Sequence, residues 1–356
     1  MSKKQQQEEN TALSRRDFLR RLATGSAAVG LGGIGLLSTR ITGGVAGRLL
    51  TAAQAASPLP EKSRIVIVKD PRVLKDDNSV DADVLQRMVD TAVCQLTDKQ
   101  QTGDAWAELV KPDDLVSLKI NCISGITFST RPEMVKAVVN GLLQANVVPD
   151  NIIAWDRTDK ELARAGYQIN FDGPGVKCFG TDHVGYGDEV ATDPDGRWRT
   201  QFSRILTERC TALVNLPILK THGETGITAA LKNHMGSHNR TGAWHSDLSA
   251  IAYLSAAEPV SSRTRLCLSD ALRPLYNAGP GDNPRFRWNF YGIIAGLDPV
   301  AHDVVCAKII QDKRNEVKGA PWPIAPEPTH LSKAGDLGLG NLAWEQIQLS
   351  EYDLGA

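Results

Sequence analysis

The sequence lacks the short motifs by which several kinds of cofactor site are recognised. Its six cysteines are scattered and form no C-x-x-C pair, so a ferredoxin-type cluster or a zinc ribbon has no local support. Neither G-x-x-x-x-G-K-S/T nor G-x-G-x-x-G is present, and the usual marks of a nucleotide site are therefore missing. The H-E-x-x-H pair of zinc proteases is also absent.

The sequence also has few long apolar runs and no excess of basic residues. Beyond the N-terminal region, no apolar run reaches the ~20 residues that a membrane-spanning helix needs. Residues 56–356 carry 32 basic and 38 acidic side chains, a net charge of −6. This acidic balance argues against a nucleic-acid partner, because such proteins usually carry a basic surplus.

The N-terminus contains a twin-arginine pair, Arg15-Arg16, followed by Asp17-Phe18-Leu19 and further bases. A weakly apolar, glycine-rich run and the small-residue site Ala53-Gln54-Ala55 come next. This order predicts a twin-arginine (Tat) export signal over residues 1–55, with the Tat translocase as partner and the periplasm as destination. An uncleaved signal that retains the protein at the membrane is the alternative. Residues 56–356 would form the mature domain.

Strand-like and helical segments alternate along residues 56–356. Apolar β-type runs such as Arg64–Val68 and Leu115–Ile120 are followed by amphipathic stretches such as Glu133–Ala145. The alternation predicts an α/β fold with a mostly parallel sheet covered by helices. Two segments rich in Gly, Asp and Pro, Gly173–Trp198 and Asn277–Asn289, predict long loop excursions.

Polar side chains recur where the predicted strands end: Asn121, Asp156, Asn215 and Asp270. In open α/β sheets, ligands bind outside the carboxyl ends of the strands. We therefore expect Asn121, Asp156 and Asp270 to line one crevice. The segment that follows Asn215 should contribute further residues to it.

That segment, from Asn215 to Asp247, is the densest polar stretch, and it contains four of the seven histidines. Three interpretations are open. Histidines of a polar loop can cap helices. A divalent metal can be held by two or three of them, with Glu224 or Asp247 as a further ligand. The metal candidates are His222, His234, His238 and His245.

The third interpretation is an anion site. Lys220, Lys232 and Asn233 would hold a phosphate or carboxylate together with backbone N–H groups of a helix that starts near Gly226. Both lysines follow apolar residues, and a lysine in such a context must reach water or meet an anion. Farther along, Asp298-Pro299 predicts a helix cap, which places His302 and Asp303 on the first turn of that helix.

Several segments together resemble the DUF362 family, a largely uncharacterised group of prokaryotic proteins. The resemblance rests on five segments: Lys111–Asn121, Thr130–Val135, Asn215–His222, Leu231–Gly236 and Gly292–Ala301. It implies an α/β domain. It also implies that the Lys-Thr-His and Lys-Asn-x-x-Gly elements, at Lys220–His222 and Lys232–Gly236, belong to the site. Some relatives carry an iron–sulfur module, which this chain lacks.

These observations predict an enzyme that acts on a small anionic substrate, with a divalent metal as a possible cofactor. The residues predicted to be catalytic are Lys220, His222, Lys232, Asp156 and Asp270. The residues predicted to contact a cofactor or ligand are Asn121, Asn233 and Gly236. A non-catalytic periplasmic binder of an anion or metal, or an accessory protein to an exported redox enzyme, is the alternative.

Overall fold

The structure is a computed structural model that describes residues 59–193, 195–245 and 247–356. The predicted export signal, residues 1–55, lies outside the described residues. Within the described ranges, no helix is both long enough and apolar enough to cross a bilayer.

A ten-stranded sheet forms the centre of the described molecule, and a separate two-stranded sheet pairs β5 with β6. The strands are β1 (Ser63–Lys69), β2 (Val116–Ile120), β3 (Ile152–Trp155), β4 (Lys177–Cys178), β5 (Tyr186–Ala191), β6 (Arg199–Ser203), β7 (Ala212–Leu216), β8 (Ile218–His222), β9 (Gly226–Thr228), β10 (Thr264–Leu275), β11 (Gly292–Gly296) and β12 (Ile347–Asp353).

The strand order in the large sheet is β12-β1-β11-β10-β7-β2-β3-β4, and β8 and β9 extend from β10. Strands β10, β7, β2, β3 and β4 are parallel to their neighbours in that order. Strand β11 runs antiparallel to both β1 and β10, and β9 is antiparallel to β8. The predicted α/β fold with a mostly parallel sheet is confirmed.

Twelve α-helices occur in the described part of the chain. They are α1 (Ala82–Thr97), α2 (Thr102–Ala107), α3 (Pro132–Gln144), α4 (Asp159–Arg164), α5 (Thr181–Val184), α6 (Arg204–Glu208), α7 (Ala230–Asn233), α8 (Thr241–Trp244), α9 (Leu248–Ala256), α10 (Glu258–Ser261), α11 (Pro299–Lys318) and α12 (His330–Asp336). The predicted cap of α11 is confirmed, because the Asp298 carboxylate accepts hydrogen bonds from the Val300 and Ala301 N–H groups.

Both faces of the sheet are covered by helices, and each face has its own hydrophobic core. Strand β1 shows how alternation divides its residues: Val66 and Val68 pack into one core, and Ile65 and Ile67 into the other. Helices α1 and α3 complete the first core, and α9, α11 and α12 complete the second.

Two segments differ from the expected pattern. The predicted excursion Gly173–Trp198 contains β4, α5 and β5, and β5 pairs with β6 outside the main sheet. Strand β10 does not end before Asp270, as predicted, but continues to Leu275, because it gains new parallel pairing with β8 at Asp270 and Leu275. Asp270 is therefore an interior strand residue and does not follow a strand end.

Candidate functional site

A small polar crevice lies where β2 and β3 end and β8 pairs with β9. Its volume is about 80 Å³, enough for a ligand of a few non-hydrogen atoms. The lining residues are Lys119, Asn121, Ile123, Asp156, Arg157, Lys220, His222, Thr228, Lys232, Asn233, Met235, Gly236, Thr241, His245 and Pro280. As expected for the carboxyl ends of neighbouring parallel strands, Asn121 and Asp156 lie together with the segment after Asn215.

A buried ion pair forms one wall of the crevice. The Lys119 amine, on β2, lies 2.7 Å from Asp156 Oδ1, and the other Asp156 oxygen accepts the Cys122 N–H at 2.7 Å. Both side chains are almost completely buried. Since both Asp156 oxygens are already engaged, the carboxylate is held in place and its charge is balanced.

The Lys119–Asp156 ion pair leaves no room for a side chain at position 236, which is a glycine. A Cβ atom at position 236 would lie 2.9 Å from Asp156 Oδ1 and 3.0 Å from Lys119 Nζ, which is too close for an ordinary side chain. The glycine of the Lys-Asn-x-x-Gly element therefore allows the backbone to approach the ion pair, and its contribution to the site is steric.

Lys220, on β8, places a buried amine in the crevice without a carboxylate partner among the described residues. Its Nζ donates to Asn121 Oδ1 at 3.1 Å and lies 3.5 Å from Ser124 Oγ. The same amine lies 5.5 Å from the centre of the Phe128 ring. Burial lowers the pKa of Lys220 to about 8, although the charge of Asp156 opposes that shift.

Lys232, on α7, contributes the second amine. Its side chain is only 5% exposed, and no hydrogen-bond acceptor or carboxylate contacts its amine within residues 59–193, 195–245 and 247–356. Burial lowers the pKa of Lys232 to about 8, with Glu224 opposing the shift and Lys220 reinforcing it. Within the described part of the chain, the crevice thus holds two buried lysines whose amines contact no carboxylate.

The Thr228 hydroxyl is a further polar group that faces the crevice without a partner in the described structure. Thr228 stands directly opposite Lys220 in the antiparallel β8–β9 pair, so the two side chains share one face. A buried hydroxyl without a hydrogen bond is costly, and such a group usually indicates a missing ligand or water.

Amide side chains fix the floor of the crevice. Asn233 Nδ2 donates to Asn215 Oδ1 at 2.7 Å and to the Lys119 carbonyl at 3.1 Å. Asn233 Oδ1 in turn accepts from Asn121 Nδ2 at 3.3 Å. This chain orients Asn121 so that its oxygen faces Lys220. The predicted residues Asn121 and Asn233 therefore lie in the crevice and also position each other.

The structure brings two of the four predicted metal-ligating histidines together. His222 Nε2 and His245 Nε2 lie 3.0 Å apart, and His222 Nδ1 accepts the Glu224 N–H at 3.1 Å. A neutral imidazole that accepts at Nδ1 carries its proton on Nε2, so His222 donates to His245. Burial lowers the pKa of His222 to about 3, and burial also lowers that of His245.

His234 and His238 do not join that pair. His234 Nε2 lies 3.2 Å from Asn215 Nδ2, and its Nδ1 lies 3.2 Å from Ser237 Oγ. His238 Nδ1 lies 3.0 Å from Thr200 Oγ1, on the side of the β5–β6 sheet. Residues 234–236 form a 3-10 turn, so the i, i+4 spacing does not place both rings on one α-helical face.

Among the described residues, His302, Asp303 and Cys306 are the group whose side-chain atoms are close enough to hold a metal ion together. Their atoms have other partners. His302 Nδ1 lies 2.8 Å from Asp303 Oδ1, and its Nε2 lies 3.2 Å from the Ile294 carbonyl. Because both ring nitrogens face acceptors, His302 is an imidazolium. Burial opposes this charge, but Cys306 and Asp303 raise the pKa of His302 to about 10.

The Asp303 carboxylate occupies the helix end that was predicted to bind an anion. Its two oxygens accept the Ala230 and Leu231 N–H groups, at 2.8 and 2.9 Å. The predicted helix start near Gly226 is wrong, because Gly226–Thr228 forms β9 and the helix begins at Ala230. The free N–H groups of α7 thus bind a side chain of the protein and do not face the crevice.

Asp270, predicted to be catalytic, is not among the residues that line the crevice. It lies inside β10, fully buried, and both of its oxygens accept from the Arg131 guanidinium. In contrast, Lys119, Arg157 and Thr228 line the crevice and were not predicted. Lys119 carries the only charge of the otherwise uncharged, fully buried strand β2, and such a lysine almost always has a partner.

The comparisons with known proteins identify a family and distant similarities to solved structures. The family described as "Domain of unknown function (DUF362)" matches residues 116–308, more than half of the chain. No curated protein matches the sequence significantly.

One similar solved structure is the lactate racemase apoprotein from Thermoanaerobacterium thermosaccharolyticum, with 13% identity, a TM-score of 0.43, and coverage of 71% of this chain and 59% of that chain. Another is a structural-genomics crystal structure of a Thermotoga maritima protein, with 12% identity, a TM-score of 0.38, and coverage of 65% and 59%. This chain thus matches less than two thirds of the length of either structure.

Proposed function

Because this chain belongs to the DUF362 family, whose function is unknown, we propose its function from the site itself: an enzyme whose crevice binds a small anionic substrate. Lys220 and Lys232 hold the anion, and the Thr228 hydroxyl and Asn121 complete its surroundings. The observation that carries the proposal is the pair of buried amines without a carboxylate partner in the described structure, facing an unpartnered hydroxyl.

Charge supports an anion as the ligand. Lys119 and Asp156 neutralise each other, and the two histidines remain neutral at physiological pH, so Lys220 and Lys232 leave the crevice with a net positive charge. Burying two unpaired ammonium groups is unfavourable, and a bound carboxylate or phosphate would relieve that cost. Strongly perturbed lysines are also typical of functional sites.

The geometry supports anion binding over metal binding. A metal on His222 Nε2 would require the ring proton to move to Nδ1, which already accepts the Glu224 N–H. The amines would also repel the ion. We therefore assign His222 the role of an Nε2–H hydrogen-bond donor. Elemental analysis of protein from its native host checks this assignment, and a stoichiometric metal would contradict it.

Thermal melts with phosphate, acetate and pyruvate test the proposed function. Each anion that binds should raise the melting temperature, because binding to the folded state stabilises it. Lys220→Met and Lys232→Met should remain folded, since each change removes a buried unpaired charge. Each should also lose about 1.5–3 kcal/mol of anion affinity, the usual contribution of a hydrogen bond to a charged group.

The exposed Lys62 offers a matched control, because Lys62→Met changes the net charge equally and leaves the crevice intact. Its melts should respond to anions as the wild type does. If none of the anions changes any melt, or if both crevice variants respond like Lys62→Met, the anion site is disproved.

The twin-arginine sequence supports a second element of the proposal, namely that the protein acts after export through the Tat translocase, in the periplasm. A periplasmic location requires the crevice to find its substrate among extracytoplasmic small anions.

A further inference from the structure

The three lysines of the crevice differ in what their amines contact. The Lys119 amine is paired with Asp156, and the Lys220 amine donates to Asn121 and lies over the Phe128 ring. Both amines thus have a partner among the described residues. The Lys232 amine lines the same crevice, yet it contacts no acceptor among the described residues. Loss of a proton from the Lys232 amine therefore breaks no hydrogen bond within the described structure.

The surroundings of Lys232 favour that loss of the proton. Burial and the nearby Lys220 charge lower the pKa of Lys232 to about 8, against the opposing effect of Glu224. A desolvated lysine next to a second cation is a recurrent arrangement for an amine that attacks a carbonyl carbon. The neighbouring His222–His245 pair is neutral and hydrogen-bonded, so it adds no further positive charge to the crevice.

We propose that Lys232 is an amine nucleophile that forms an imine with the carbonyl carbon of a small 2-oxo acid, while Lys220 holds the carboxylate of that acid. The inference rests on the proposed function, because it requires an anion on Lys220. It adds a role for one of the two amines: both hold the anion when they are protonated, and the neutral Lys232 amine also reacts.

The step balances without an oxidant or a metal. The lone pair of the neutral Lys232 Nζ attacks the carbonyl carbon, a C–N bond forms, and the carbonyl oxygen takes up a proton. The resulting hydroxyl is protonated and leaves as water while nitrogen loses its second proton, which gives the C=N bond. The proton that the leaving hydroxyl takes up and the proton that the nitrogen gives up are exchanged with solvent water.

The dimensions of the crevice limit the substrate. A volume of about 80 Å³ admits an acid of a few non-hydrogen atoms, such as pyruvate or glyoxylate. The Thr228 hydroxyl stands opposite Lys220 and has no partner in the described structure, so it can donate to the second carboxylate oxygen.

Reductive trapping tests the inference. The full chain is incubated with pyruvate and sodium cyanoborohydride, digested, and mapped by mass spectrometry. The expected result is a reduced pyruvate adduct on Lys232. The adduct should disappear in Lys232→Arg, which keeps the charge but cannot form the imine. In Lys220→Met it should need a pyruvate concentration about tenfold higher, the equivalent of about 1.4 kcal/mol of binding.

The exposed Lys62 serves as the internal control, because it should gain no adduct at pH 7, where an ordinary lysine is protonated. An adduct on Lys220, adducts spread over surface lysines, or no adduct would overturn the inference. If pyruvate still raises the melting temperature without forming an adduct on Lys232, the imine is disproved and the anion site stands. If neither pyruvate, acetate nor phosphate raises it, both proposals fail.

Discussion

Lys220 and Lys232 differ from ordinary lysines because burial lowers the pKa of each to about 8. Most of each amine population is still protonated at neutral pH, and a rise of one pH unit above 8 removes most of that charge. Binding of an anion favours the protonated form. Affinity and protonation are therefore linked at these two residues.

The affinity for acetate should follow this linkage. Acetate stays ionised above pH 5.5, and the pKa of His222 is about 3, so between pH 5.5 and 7 the affinity should be constant. Above pH 8 it should fall by up to about tenfold per pH unit for each lysine that must be protonated. Calorimetric titrations across this range measure the change. A fall centred near pH 6.5 would instead implicate a histidine and contradict the assignment.

At the scale of elements, the short helix α7 presents Lys232 and Asn233, and Asp303 of α11 holds its first N–H groups. His302 in turn pairs with Asp303 and binds the carbonyl of Ile294 on β11. A four-residue helix has little stability of its own. The position of the Lys232 amine therefore depends on a carboxylate that does not line the crevice.

Asp303→Asn should weaken acetate binding, because one of the two N–H groups loses its acceptor and α7 shifts. We expect about a tenfold loss of affinity and a loss of stability of about 3–5 kcal/mol, since the change also leaves a buried imidazolium unpaired. Asp298→Asn is the matched control, because it alters the cap of α11 without touching α7. If Asp303→Asn melts lower but binds acetate normally, Asp303 has only a structural role.

Short sequence patterns correctly located six residues that line the crevice. Strand-end polarity located Asn121 and Asp156, and the Lys-Thr-His and Lys-Asn-x-x-Gly elements supplied Lys220, His222, Lys232 and Asn233, all of which line the crevice. The first two needed only the rule that parallel strands present their carboxyl ends to one edge, and the other four came from the polar segment after Asn215 and from the family resemblance.

The failures concern long-range partners. The sequence around Asp270 gives no sign that Arg131, 139 residues away, pairs with it. It also gives no sign that β10 continues past Asp270 by pairing with β8. The start of α7 was misplaced because Gly226 was interpreted as a helix opening, whereas residues 226–228 pair with β8. Pairings of this kind are decided by tertiary contacts, which override local preference.

At the scale of the whole molecule, the first and last strands of the described chain are neighbours. Strand β1 pairs in parallel with β12 along its full length, from Ser63↔Ile347 to Lys69↔Asp353. The sheet is therefore complete only after the C-terminal residues are available.

Replacing Arg15 and Arg16 by lysine should leave the protein in the cytoplasm of its host. Replacing Arg20 and Arg21 by lysine makes the same number of changes nearby and should leave export intact. Fractionation with detection of the protein in each compartment measures the outcome. Equal periplasmic amounts of both variants would disprove the Tat prediction.

Calorimetric titration of acetate at pH 7 measures binding at the anion site of Lys220 and Lys232. The wild type and Lys62→Met should bind acetate with the same affinity. Lys220→Met and Lys232→Met should each bind roughly 10- to 150-fold more weakly, the ratio that corresponds to about 1.5–3 kcal/mol. Equal affinity in all four proteins, or no binding to the wild type, would contradict the account.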